Sequence, residues 1–271
     1  MYETYWGLTE PAFGLTPDPR FLYMSRAHED ALTMLHYAVM RNKGAAVLSG
    51  DIGLGKTTIS RKLIEMLDPH QFRLVLVVNP VLSPTQMLQE VLQQLNIEVT
   101  TKSRQGLIQT LHRALLDYYM QGQRVVVMID EAHLIKNVAS FEELRLLLNC
   151  QMNDQFLITL LLLGQKELRE KLSKVPALEQ RLSVRCALEP LDVQETGELI
   201  LHRMRVAGYT GERNPFTPDA IYQIHKTSSG YPRMISTLAD HALMVGAAQN
   251  VKIIDAYLMH EVCSQHLGAA A

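Results

Sequence analysis

Residues 50 to 57 read Gly50-Asp51-Ile52-Gly53-Leu54-Gly55-Lys56-Thr57, with the spacing G-x-x-x-x-G-K-[ST]. That pattern suits one task, the holding of a phosphate chain. Its glycines let successive backbone N–H groups turn inward around phosphate oxygens, and a helix starting behind them adds the positive end of its dipole. Lys56 brings a point charge to the β- and γ-phosphates, and the Thr57 hydroxyl offers a ligand to the Mg2+ that bridges them, with Thr58 continuing into the helix. A second acidic position follows the apolar run Val125-Val126-Val127-Met128-Ile129. There Asp130 can stand beside the metal, and Glu131 can orient and polarise an attacking water. The chemistry implied is magnesium-assisted hydrolysis of a nucleoside triphosphate.

Several polar residues extend this set. Asn79 ends an apolar run and has two readings, a side chain that holds Glu131 back until a partner binds, or an Asn-Pro turn before Pro80. Gln165 follows the run 156–163, where its amide can sense the γ-phosphate or the water. Arg181 and Arg185, in Glu179-Gln180-Arg181-Leu182-Ser183-Val184-Arg185, can reach across a subunit boundary as an arginine finger. Arg233, in Gly230-Tyr231-Pro232-Arg233, opens a helix from which it can return to the same nucleotide. The tetrapeptide Asp130-Glu131-Ala132-His133 also spells a helicase signature, but such helicases need a second motor unit, so His133 reads as a loop or helix-start residue.

The elements that must position these groups are legible as alternating runs. Uninterrupted apolar stretches at 45–49, 73–78, 124–129 and 156–163, with a shorter one at 184–188, predict strands buried on both faces. Helical patterns at 57–67, 84–95, 104–121 and 140–152 separate them, so the expected architecture is α/β, a mostly parallel five-stranded sheet between helical layers. After Pro190 only helices are expected, at 192–207, 217–228, 232–248 and 254–266. The expected division is a nucleotide-binding domain over 1–190, with 1–44 as an N-terminal segment, a small helical lid over 191–267, and a tail at 268–271.

Composition sets bounds. At 271 residues and 47% hydrophobic content there is material for one large and one small domain. A formal net charge of −2 gives no general attraction to nucleic acid or anionic lipid. Any such partner needs a local patch, for which Lys102, Arg104, Lys136, Lys166, Arg169, Lys171 and Lys174 are the candidates. Cys150, Cys186 and Cys263 lie far apart, which argues against zinc and against a disulfide framework and fits a reducing compartment. No secretory signal is visible at the N-terminus, and the longest apolar run falls well short of the ~20 residues a membrane helix requires.

With these motifs in order, the chain resembles AAA+ ATPases of the ExeA/GspA type, including smaller MshM-like members, which are related to origin-recognition and TniB-like transposition ATPases. The resemblance also rests on Tyr5-Trp6-Gly7-Leu8 through Pro11-Ala12-Phe13, then Thr16-Pro17-Asp18-Pro19-Arg20-Phe21-Leu22-Tyr23 and Ser25-Arg26-Ala27-His28-Glu29-Asp30-Ala31-Leu32. It implies ATP or ADP with Mg2+ as ligands, and places Ser25 and His28 near the adenine. Gln165 takes the sensor-one position, Arg181 that of the finger and Arg233 that of sensor two. Leu54 stands where Thr is common in the family, and His133 where Gln is usual. Larger ExeA-type proteins continue into a membrane segment and a peptidoglycan-binding domain, so this chain is expected to be a short form or a truncated one.

Three functions follow as expectations. The first is an ATPase forming a nucleotide-dependent ring or filament that remodels a bacterial secretion or pilus assembly, cytoplasmic and peripheral to the inner membrane through its partners. The second is a DNA-bound ATPase that regulates a transposase. The third is a slow nucleotide-gated adaptor.

Overall fold

The computed structural model describes residues 2–14, 16, 18–152 and 155–268, the side chains of 266–268 excepted. Pro17 of the N-terminal stretch and Ala269 to Ala271 of the expected tail lie outside the described residues. The chain divides into two compact units, one comprising Ala27–Ile52 and Ile59–Leu188, the other Met1–Arg26, Gly53–Thr58 and Glu189–Ala271.

The first unit is built on a sheet. In chain order its elements are α1 (Arg26–Met40, from Ala27 onward), β1 (Ala45–Ser49), α2 (Lys56–Met66, from Ile59 onward), β2 (Phe72–Val77), α3 (Pro84–Gln94), α4 (Arg104–Met120), β3 (Arg124–Ile129), α5 (Val138–Leu147), β4 (Gln151–Met152), β5 (Gln155–Phe156), β6 (Ile158–Gly164), α6 (Glu167–Ser173), α7 (Pro176–Glu179) and β7 (Leu182–Ala187). Five strands pair in parallel in the order β2-β3-β6-β1-β7. Every residue of β1 and β6 is buried, as the apolar runs require of central strands with helices on both faces. The edge strands β2 and β7 are only partly buried, leaving Arg73, Ser183, Arg185 and Ala187 exposed. Val77, Ile129, Leu162 and Val47 form one row across four strands, so the segments that follow β1, β2, β3 and β6 all leave from the same edge.

Three features depart from the sequence reading. Helix α1 lies in a segment for which the pattern of strands and helices supplied no element. Its buried face, His28, Ala31, Leu32, Leu35, Ala38 and Val39, has a clear helical period. The helix expected at 140–152 stops at Leu147 because Leu148, Asn149 and Cys150 each donate to a carbonyl three residues back, and this tighter winding ends helices. The chain then forms the antiparallel β4–β5 pair, and the long strand begins at Ile158 rather than 156.

The second unit holds α8 (Val193–Val206), α9 (Pro218–Ser228), α10 (Pro232–Ala248) and α11 (Ala256–Gly268). Asp192 and Glu195 form a capping box at the start of α8, and Thr217 caps α9 ahead of Pro218. Trp6 and Phe13 are buried in this core with Phe216, Leu238 and Leu243. The Trp6 indole N–H donates to the carbonyl of Leu243 at 2.9 Å, and the Thr9 amide to that of Ala207 at 2.7 Å. The residues up to Arg26 thus cluster with the C-terminal helices, whereas the sequence grouped them with the sheet.

Candidate nucleotide site

The loop 50–55 leaves the end of β1, and α2 begins at Lys56. Gly53 and Gly55 have φ of +83° and +93°, the left-handed region open to glycine and costly to other residues. Gly50 donates to the carbonyl of Gly164 at 3.2 Å, which ties the loop's start to the end of β6. Asp51 is not left as a bare negative charge, because Lys166 Nζ lies 2.7 Å from its carboxylate. Leu54 is wholly buried and Lys56 is 5% exposed, so the residue that departs from the family's usual Thr serves as a packing anchor. Ile52 is exposed, and Thr57 and Thr58 are half-buried.

Gly53 also meets Arg233. The Arg233 amide, in the first turn of α10, donates to the Gly53 carbonyl at 3.4 Å, and a Cβ on Gly53 would lie 3.0 Å from that of Arg233. The turn before α10 is equally confined. Gly230 has φ +75°, its carbonyl accepts from the Leu191 amide at 2.9 Å, and a Cβ there would sit 2.1 Å from the Leu191 carbonyl oxygen. Glycine at both positions therefore holds Arg233 to the phosphate loop. Ser25 and His28, the expected adenine neighbours, are both buried at 2% exposure.

At the end of β3, Asp130 is buried at 4% exposure and its Oδ1 accepts from the Glu131 amide at 2.9 Å. Glu131 has φ +51°, and the turn of 3-10 helix at 132–134 follows at once. That fold-back brings His133 Nδ1 to 3.3 Å from Glu131 Oε2. The other ring nitrogen of His133 lies 2.8 Å from Gln165 Nε2, just past β6. Gln165 is thus at the same sheet edge as the acidic pair and is connected to it. His133 is the residue the sequence reading passed over. The signal was its place two residues past Glu131, which becomes informative only once a tight turn is known there.

The remaining expectations fall elsewhere. Asn79 is exposed and its Oδ1 accepts from the Val81 amide at 3.4 Å, which is the turn reading; the group that touches Glu131 is His133. Arg181 precedes β7, at the opposite edge of the sheet from Asp130 and Gln165, with Nη1 donating to the Arg145 carbonyl at 3.2 Å. Arg185 is exposed within β7 and donates to the Glu179 carbonyl at 2.8 Å. Of the proposed basic patch, Arg104 pairs with Glu143, Lys166 with Asp51, Arg169 with Ser49, and Lys171 with the carbonyls of His133 and Ile135. Each of these four side chains has a partner within its own chain.

The donor set suits the expected ion. Asp130 and Thr57 offer a carboxylate and a hydroxyl, the oxygen ligands that Mg2+ prefers. Among the described residues there is no cluster of three or more His, Cys, Asp or Glu side chains that could hold a metal by themselves. The three cysteines are free. No described helix is long and apolar enough to cross a membrane.

Residues 39–172 match the AAA domain family model AAA_22. With the glycine loop, the acidic strand end and the parallel sheet, this makes the stretch an AAA domain of P-loop type. More particularly, the chain is 35% identical over 253 residues to General secretion pathway protein A of Aeromonas hydrophila, covering 92% of this chain and 45% of the relative. The resemblance to the ExeA/GspA type is borne out, and the chain spans less than half the relative's length. Solved structures share the fold. Aeropyrum pernix ORC2 superposes with a TM-score of 0.67 at 16% identity, over 94% of this chain and 71% of that one. Drosophila ORC bound to DNA gives 0.70 at 14%, over 98% and 66%. The Thermotoga maritima RuvB branch migration motor gives 0.57 at 20%, over 89% and 69%.

Proposed function

We propose that this chain is an ATPase that holds ATP with Mg2+ at the boundary between copies of itself and uses hydrolysis to remodel a bacterial secretion or pilus assembly. The observation that carries the nucleotide part is the loop of left-handed glycines between a fully buried parallel strand and a helix that opens on Lys56. In this reading the backbone of 50–55 cradles the phosphates, Lys56 neutralises them as a point charge, and Ser25 and His28 lie toward the base. Thr57 and Asp130 hold the ion, which when bound offsets the charge on the β- and γ-phosphate oxygens. Glu131 orients the attacking water and accepts its proton, while Gln165 and Arg233 respond to the γ-phosphate.

Arg181, at the far edge of the sheet from Asp130 in its own subunit, is suited to act on a neighbour's nucleotide, with Arg185 as the second candidate. A nucleotide-dependent ring or filament follows from that. The link to secretion draws on the similarity to General secretion pathway protein A, as does peripheral placement at the inner membrane from the cytoplasmic side. The DNA-bound alternative is weakened by the internal pairing of Arg104, Lys166, Arg169 and Lys171.

Three measurements test this reading. Lys56→Ala abolishes binding of a fluorescent ATP analogue. Glu131→Gln retains binding and loses turnover. Sizing by light scattering detects larger species with a non-hydrolysable analogue than without it. Tight binding with no turnover at high protein concentration would instead identify a nucleotide-gated adaptor.

A further inference from the structure

We infer that His133 is a positioning residue for hydrolysis, a bridge that fixes the Glu131 carboxylate and couples it to the Gln165 amide. The inference rests on the ATPase reading above. Gln165 Nε2 carries only donors, so His133 Nε2, 2.8 Å away, accepts and the ring proton sits on Nδ1. Nδ1 lies 3.3 Å from Glu131 Oε2, within ion-pair reach of the carboxylate. The Gln165 backbone amide also donates to Nδ1, at 3.4 Å; this long bond competes with a proton on Nδ1, and the shorter 2.8 Å side-chain contact outweighs it. One carboxylate oxygen is thereby held, and Oε1 is left to take a water.

The imidazole itself is anchored. Its side chain is 10% exposed against 39% for Glu131. Lys171 Nζ donates to the carbonyls of His133 and Ile135. Gly164 makes room, since a Cβ there would lie 3.1 Å from the His133 amide nitrogen and 2.9 Å from a Leu168 methyl. Gln165 is the next residue after Gly164, so a displacement of its amide by a phosphate passes through the ring to the carboxylate. This is the arrangement of a base held by an orienting third group.

The test compares three variants at saturating ATP-Mg2+. His133→Ala lowers kcat roughly 10–100-fold, the scale found for residues that orient metal ligands, and leaves KM for ATP and binding of a non-hydrolysable analogue near wild type. His133→Gln, which can donate to Glu131 and accept from Gln165, recovers most of the rate. His133→Phe fills the same space without those bonds and does not. Long-range 1H–15N spectra of the labelled wild type, with His133 assigned by its loss in His133→Gln, place the ring proton on Nδ1, and Gln165→Leu shifts the Nε2 resonance.

Wild-type kcat in His133→Ala, equal rates in the Phe and Gln variants, or a ring proton on Nε2 overturns the positioning role while the ATPase reading stands. Absence of turnover in the wild type overturns the ATPase reading and the positioning role with it.

Discussion

Replacing Gly230 with alanine separates two costs that usually arrive together, backbone strain and steric conflict, because the same compact unit contains a control. Gly7 and Gly230 have φ of +70° and +75°, but a Cβ on Gly7 meets nothing within 4 Å, whereas on Gly230 it would lie 2.1 Å from the Leu191 carbonyl oxygen. Both alanines carry the left-handed penalty of about 1–2 kcal/mol. Only Gly230→Ala must also push the chain away from Leu191, which breaks the 2.9 Å bond from the Leu191 amide to the Gly230 carbonyl. Gly230 and Leu191 are buried, so the groups left unpaired add about 1–3 kcal/mol.

Trp6 is the single tryptophan, is buried in this unit and bonds to α10, so its fluorescence reports the relevant transition. With a urea slope of about 1–3 kcal/mol per M, the midpoint of Gly230→Ala should lie on the order of 1 M below that of Gly7→Ala. Because the displaced turn carries Arg233, turnover should fall as well. Equal midpoints for the two variants would refute the reasoning, since strain alone would then account for both.

Mixing inactive variants tests the trans arginine: Arg181→Ala and Lys56→Ala are each silent, and their mixture regains part of the ATPase rate measured by phosphate release. If Arg181→Ala and Arg185→Ala both turn over normally, no finger resides there. Glu143 is 2% exposed with Oε1 unpartnered and Oε2 2.7 Å from Arg104 Nε. Arg104→Ala should cost roughly 1–3 kcal/mol in urea denaturation, toward the low end of buried-pair losses because Arg104 is half exposed, and adding Glu143→Leu should recover much of it. Burial holds the His202 pKa below its ordinary 6.5, aided by the Arg203 charge and opposed by backbone hydrogen bonds with Arg20 and Leu22. Its proton then binds the unfolded chain first, so the His202 contribution is intact above about pH 6.5 and is lost as pH falls below that toward the folded-state value. His202→Gln should flatten this acid limb in Trp6-monitored unfolding.

Much of the site could be read from residue types alone because its chemistry is local. Gly53, Gly55, Lys56 and Thr57 are neighbours in sequence, and a loop whose work is done by consecutive backbone amides must be written contiguously. The same holds for Asp130 and Glu131, which end a run too apolar to be anything but a buried strand. Gln165 was legible by its place after such a run. His133 was not, since nothing in Asp-Glu-Ala-His foretells a left-handed Glu131 followed by a 3-10 turn. Helix α1 had the right period but was overshadowed by the aromatic residues before it, and β4–β5 are too short to carry a pattern.

By itself the sequence determined that a glycine loop of phosphate-binding type stands between strand and helix, and that the strands are buried between helices. Alternation of apolar runs with helical periods encodes burial, and burial is a local property. Strand order, the pairing of Gly53 with Arg233, the bridge from Glu131 through His133 to Gln165, and the membership of Trp6 in the C-terminal core were decided only by tertiary structure. Each depends on which distant surfaces exclude water together, and no spacing along the chain specifies that.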